Sequence, residues 1–100
     1  MENDVKGALD SGSDAMDLMI FGARGDLSAR KLFPALYHLD YCELLPEGLR
    51  IHALARESID RETFLADIKG RVRRYVDDTR WSEAQWEHYA SRFCYHRIDF

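Results

Sequence analysis

The stretch Met19-Ile20-Phe21-Gly22-Ala23-Arg24-Gly25-Asp26-Leu27-Ser28-Ala29-Arg30-Lys31-Leu32-Phe33-Pro34-Ala35-Leu36-Tyr37-His38-Leu39 decides how this chain folds. A short apolar run, Asp17 to Phe21, ends at Gly22. Its length and flanks suit a strand buried on both faces, as in a parallel sheet. Two glycines spaced three apart follow, and then a helical pattern begins. Leu27, Leu32, Phe33, Leu36, Tyr37 and Leu39 fall near one stripe of a helix. Pro34 interrupts that pattern, because it removes the hydrogen bond to the Arg30 carbonyl and crowds the turn beneath it. The stretch predicts a first turn over 26–32, a kink, and a main helix over 33–44.

Working outward, Leu45-Pro46-Glu47-Gly48 is a turn signal. Arg50 to Arg56 reads as a second strand. Asp60 caps a predicted helix over 61–76, with Phe64, Leu65, Ile68, Val72, Tyr75 and Val76 as its buried stripe. Gly70 inside that helix costs about 1 kcal/mol against alanine, which suggests close packing there. Ser82 and Gln85 form a capping box, with Trp81 and Trp86 at the staple positions, for a helix running to Ser91. Phe93 to Asp99 is a third strand. Residues 1–14 are acidic, rich in Gly and Ser, and read as a disordered leader. Strands alternating with helices imply a parallel sheet. The fold class is therefore α/β, the N-terminal part of a Rossmann-like, doubly wound sheet over residues 15–100. A third strand with nothing after it leaves an apolar sheet edge, which suggests part of a larger domain.

Composition narrows the function. The chain has 100 residues, a net charge of -4 and 46% hydrophobic residues, so it should fold around a modest core. Acids and bases are interspersed, which argues against a nucleic-acid partner. The cluster Arg71, Arg73 and Arg74 reads as a solvated helix face. Cys42 and Cys94 do not make a disulfide framework or a zinc site, and read as small buried hydrophobes in a reducing compartment. His38, His52, His88 and His96 lack metal-ligand spacing. No secretory signal and no apolar run long enough for a bilayer are present, so a cytoplasmic protein without a membrane partner is expected.

The glycine turn carries the chemistry. In a parallel sheet the first strand-to-helix turn lies at the carboxyl end of the strands, where ligands bind. The helix there offers free N–H groups and the positive end of its dipole. Gly22 permits the tight turn, Gly25 removes a side chain from the approach of a pyrophosphate, and Arg24 can add charge. The three-glycine fingerprint is absent, so the pair of glycines is also compatible with a purely structural turn. A P-loop is excluded, since no Lys-Ser or Lys-Thr pair follows the glycine. Arg24-Gly25-Asp26 reads as a strand-to-helix junction, not as an adhesion tripeptide on a loop tip. At the end of the second strand, Arg56 suits the 2′-phosphate of NADP, while Glu57 next to it leaves NAD possible.

Phe21-Gly22-Ala23-Arg24-Gly25-Asp26-Leu27-Ser28-Ala29-Arg30-Lys31-Leu32-Phe33-Pro34-Ala35-Leu36-Tyr37 resembles the N-terminal nucleotide turn of glucose-6-phosphate dehydrogenases, F-G-A-x-G-D-L-A-x-R-K-L-x-P-A-L-Y. Leu44-Leu45-Pro46 and Ala55-Arg56 continue the resemblance, which is closest to bacterial members. The resemblance implies NADP-dependent oxidation of glucose 6-phosphate to the phosphogluconolactone, the first step of the pentose phosphate pathway, by a homo-oligomeric complete enzyme. It puts Gly22, Ala23, Arg24, Gly25, Asp26 and Leu27 on the phosphate-binding turn and Arg56 on the 2′-phosphate. It puts Lys31 on the substrate side of the nicotinamide. Arg24 departs from the small residue of many members, and Ser28 from their alanine. Family enzymes are several-fold longer, and their catalytic histidine lies in a later R-I-D-H peptide. Arg97-Ile98-Asp99-Phe100 is not that peptide, because it belongs to the third strand and phenylalanine cannot accept a proton. No catalytic residue is therefore expected in this chain, and the rival reading is a stand-alone, non-catalytic dinucleotide-binding remnant or a module that binds another protein.

Overall fold

Each apolar run becomes a parallel strand, and every helix lies across one face of the resulting sheet. The computed structural model describes residues 16–99. The expected leader over residues 1–14 lies outside them. The strands are β1 (Met16–Phe21), β2 (Leu49–Ala55) and β3 (Phe93–Arg97), in the order β1-β2-β3. Both pairs are parallel, with Phe21 beside Leu54 and Ala55 beside Arg97. This is the 3-2-1 half of a doubly wound sheet. A π-helical turn, Ser28–Leu32, leads into α1 (Phe33–Tyr41); α2 (Arg61–Arg73) links β2 to α3 (Glu83–Ala90), which returns to β3.

The core lies between the sheet and the helices. Ile20, Ile51, Ala53 and Phe93 meet Phe33, Tyr37, Phe64, Ile68, Val72 and Tyr89. Phe33, Phe93 and Tyr89 pack edge to face, with centroids 5.6 and 5.1 Å apart. The caps are as the sequence predicts on one side each. Asp60 accepts from the Thr63 amide at 2.8 Å, and Ser82 from the Gln85 amide at 3.0 Å. Trp81 stacks on Trp86 at 5.7 Å. The capping box is incomplete, because the Gln85 side chain reaches across to Asp40 instead, at 2.9 Å.

Several expectations need correction. β1 is covered on one face only: Met19 and Phe21 remain 52% and 64% exposed, because the described helices all pack on the opposite face. Leu27 and Leu32 do not join the buried stripe; the π turn adds a residue to the helical register and buries Ser28 and Ala29 in their place. The helices end earlier than expected, at Tyr41 and Arg73, so Tyr75 lies beyond α2 and is 50% exposed. Gly70 faces open space, with nothing within 4 Å of an added Cβ, and mediates no close packing. Cys42 follows the last turn of α1 and is exposed, while Cys94 is half-buried on the bare sheet face. On that same face His52 bridges Asp17 (2.8 Å) and His96 (2.9 Å), a chain across all three strands.

Candidate functional site

Pro34 shapes the approach to the site. Without an N–H at residue 34 and with its ring against the Arg30 carbonyl, a regular α-helix would be strained there. The chain instead widens by one residue, and the Phe33 amide donates to the Ser28 carbonyl in a π-type bond. The kink read from the sequence is thus a π-helical turn, and Lys31 lies within it. Lys31 is exposed and engages no ion pair among the described residues.

The turn Gly22–Leu27 sits at the carboxyl edge of the sheet, directly after β1. Gly22 adopts φ +70°, the left-handed region open to glycine. Its carbonyl oxygen accepts the Gly25 amide at 2.8 Å and the Ser28 hydroxyl at 3.1 Å. A Cβ on Gly25 would lie 3.1 Å from that same oxygen. Gly25 therefore lets two stretches of backbone approach, and Ser28 locks them. The first α-type bond runs from the Ala29 amide to the Gly25 carbonyl at 3.2 Å. The amides of Asp26, Leu27 and Ser28 precede it and have no intrahelical acceptor. They point out of the positive end of the helix, the arrangement that holds a phosphate.

The other named residues divide. Ala23 is buried, and its amide donates to the Leu54 carbonyl at 3.1 Å, so it ties the turn to β2 and presents no free N–H. Arg24 turns away from the edge to Asp67 of α2, at 3.3 Å, although its Nε is buried without a hydrogen-bond partner. Asp26 pairs with Arg30 one turn on, at 3.2 Å. Arg56 follows the last residue of β2 and lies on the same edge as the turn, with an exposed side chain. Its backbone is well held: the Arg56 carbonyl accepts from Arg97 Nε at 3.1 Å, and the next carbonyl, of Glu57, accepts from the Tyr95 hydroxyl at 2.7 Å. Burial, with the Glu57 carboxylate adding to it, holds the Tyr95 hydroxyl above its ordinary pKa, so it remains a donor.

Sequence reasoning missed Asp67 and Ser28. Neither carries a local signal, because each acts on a residue that only the folded turn brings near. Among the described residues no group of His, Cys, Asp and Glu could hold a metal ion, and no helix is long and apolar enough to cross a membrane.

Comparison with known proteins gives the same direction. A family model described as the NAD binding domain of glucose-6-phosphate dehydrogenase matches residues 19–100. The glucose-6-phosphate 1-dehydrogenase of Buchnera aphidicola subsp. Acyrthosiphon pisum is 36% identical over 85 residues, 85% of this chain and 17% of that one. Its counterpart from Chlamydia pneumoniae is 39% identical over 83 residues, 83% of this chain and 16% of that one. The solved structure of glucose-6-phosphate 1-dehydrogenase from Mycobacterium avium matches with a TM-score of 0.76 at 27% identity, covering 85% of this chain and 18% of that one. A glucose-6-phosphate dehydrogenase solved in complex with its substrate glucose-6-phosphate matches at 0.69 and 29% identity, covering 84% of this chain and 17% of that one. The chain thus spans about a sixth of the relatives it matches.

Proposed function

This chain belongs to the glucose-6-phosphate dehydrogenase family, in the segment described as its NAD binding domain, and from that premise we propose that it is the cofactor-positioning part of an NADP-dependent glucose-6-phosphate dehydrogenase. The observation that carries the reading is the turn itself. Gly22 in the left-handed region and Gly25 packed on the Gly22 carbonyl leave the backbone uncovered at a helix N-terminus, on the ligand-binding edge of a parallel sheet. The residues fit a dinucleotide. The amides of Asp26, Leu27 and Ser28 would hold the pyrophosphate, and the Arg56 guanidinium the 2′-phosphate of the adenosine ribose.

The bound nicotinamide supplies the hydride acceptor for the sugar. This chain fixes where the dinucleotide lies. Its turn is rigid through the Ser28 and Leu54 contacts, so the phosphate cradle is organised before the ligand arrives. Lys31, exposed one turn further on, carries the charge that would meet the sugar phosphate or the reacting oxygen. Arg24 would serve the phosphates only after leaving Asp67, an exchange that its unpartnered Nε favours.

The test is the cofactor preference of the Arg56→Ala protein, by direct titration with NADP and NAD. Loss of a charge-assisted pair to the 2′-phosphate should weaken NADP by about 10- to 100-fold. NAD, which lacks that phosphate, should change by less than about threefold. Equal losses for both cofactors would overturn the assignment.

A further inference from the structure

A second concentration of positive charge borders the glycine turn at Arg24 and Asp26 and extends away from it to the end of α2. A pocket of about 270 Å³ opens between the π-helical turn and the end of α2, lined by Asp26, Ala29, Arg30, Arg71, Arg74 and Tyr75. Around it the guanidiniums of Arg24, Arg30, Arg71 and Arg74 meet only two carboxylates among the described residues. Asp26 pairs with Arg30 at 3.2 Å, and Asp67 is shared between Arg24 (3.3 Å) and Arg71 (3.4 Å). Arg74 engages no acid among the described residues. Among the described residues an excess of two positive charges is therefore gathered at one place, on a chain whose net charge is -4. Complementing the negative end of the α2 dipole accounts for basic residues in its last turn. It does not account for Arg30, which comes from the opposite wall, or for the cavity between them.

We propose that this pocket is a second anion site, which binds the phosphate group of a small phosphorylated compound separately from the dinucleotide. The volume is at the small end of ligand pockets, and suits a phosphate-bearing fragment better than a whole dinucleotide. Arg30 and Arg71 hold the anion from opposite walls and Arg74 closes the third side. All three donate charge-assisted hydrogen bonds of the kind that guanidinium forms with phosphate. Arg30 gives up little to do so, since its pair with Asp26 is solvent-exposed and such pairs contribute at most about 1 kcal/mol. Tyr75, half-exposed at the rim, offers an aromatic face to the remainder of the ligand.

The probe is inorganic pyrophosphate, titrated calorimetrically into the full-length protein at low ionic strength, with and without saturating NADP. The expected result is saturable binding that persists when NADP is present. Arg30→Gln and Arg74→Gln should each weaken it by about tenfold or more, and leave NADP affinity within about twofold. Arg30→Lys should recover part of the loss. Both side chains are exposed, so the variants fold, which circular dichroism checks. Absence of saturable binding overturns the proposal. So does binding that NADP displaces, which would mean that pyrophosphate occupies the glycine turn, and so does binding indifferent to both substitutions. If NADP itself fails to bind, the cofactor assignment falls, while the two arginine variants still decide this one.

Discussion

Gly25→Ala is the substitution that tests how the glycine turn is built. Gly25 does not have a positive φ, so alanine meets no backbone penalty there. What it meets is the Gly22 carbonyl oxygen, 3.1 Å from the new Cβ. That oxygen cannot easily retreat, because the Gly25 amide holds it at 2.8 Å and the Ser28 hydroxyl at 3.1 Å. Moving it by a few tenths of an ångström stretches both bonds. At about 1 kcal/mol net for each, weakening the two costs about 1–2 kcal/mol. Gly22→Ala reaches a similar loss by a different route. It has open space around it, but at φ +70° the Cβ costs about 1–2 kcal/mol. A further substitution separates the two causes. Asparagine tolerates the left-handed region, so Gly22→Asn should recover part of what Gly22→Ala loses. No side chain recovers Gly25, because every Cβ meets the same oxygen. Equilibrium urea unfolding measures the stabilities, with NADP titration on the same samples. Alanine at an ordinary φ also stabilises by about 0.4–1 kcal/mol through the unfolded chain, so a Gly25→Ala protein more stable than the parent by about that full amount would refute the close approach. Gly22→Asn no better than Gly22→Ala would refute the left-handed requirement.

Three further predictions concern the frame that carries the turn. Asp40 is almost fully buried and receives Arg92 Nε at 3.0 Å and Nη2 at 2.9 Å, so Asp40→Ala leaves a buried guanidinium without its counter-ion. Urea unfolding should show a loss of about 3–5 kcal/mol, and a loss under about 1 kcal/mol would mean that the pair is not buried in solution. The Tyr89 hydroxyl donates to the Phe33 carbonyl at 2.8 Å, and burial, with the Asp40 carboxylate adding to it, holds its pKa well above the ordinary 10.0. Because the folded state keeps this proton longer, its contribution is complete below the unfolded pKa and is lost as pH rises above about 10. Tyr89→Phe should cost about 1 kcal/mol at neutral pH and flatten the alkaline fall in stability, leaving the smaller parts from Tyr37 and Tyr95. An alkaline limb unchanged in that variant would count against it. Gly70→Ala should stabilise by about 1 kcal/mol, since Gly70 lies inside α2 and faces open space; a destabilised variant would restore a packing role for Gly70.

The parts of this molecule that were legible in its sequence are those written locally. Strand, glycine turn and helix follow each other within a few residues, and each is signalled by spacing or by the chemistry of Gly, Pro, Ser and Asp. The α/β class, the parallel order and the caps at Asp60 and Ser82 were therefore readable, and the family's nucleotide turn could be matched residue by residue. What was not readable depends on how helices cross. Arg24 and Asp67 are 43 residues apart, and Asp40 and Arg92 are 52 apart. Nothing near Arg24 in the sequence says that α2 will pass close enough to draw its side chain from the carboxyl edge of the sheet. The same reason explains Tyr75 and Cys94, whose apolar neighbours suggested burial although the layers that form do not reach them.

Pro34 falls between the two cases. Its lost hydrogen bond and the crowding of Arg30 were legible, so a kink was expected, but relief by a π-type bond was not. That difference matters to the site. A simple kink would have kept the stripe of Leu27 and Leu32 against the core. The extra residue in the turn sends both outward, buries Ser28, and so places the hydroxyl that locks the Gly22 carbonyl. It also puts Lys31 on a turn whose side chains leave at angles a regular helix does not provide. The proline, the buried serine and the exposed lysine are thus one device: a widened helix start that fixes the glycine turn on one side and presents a charge on the other.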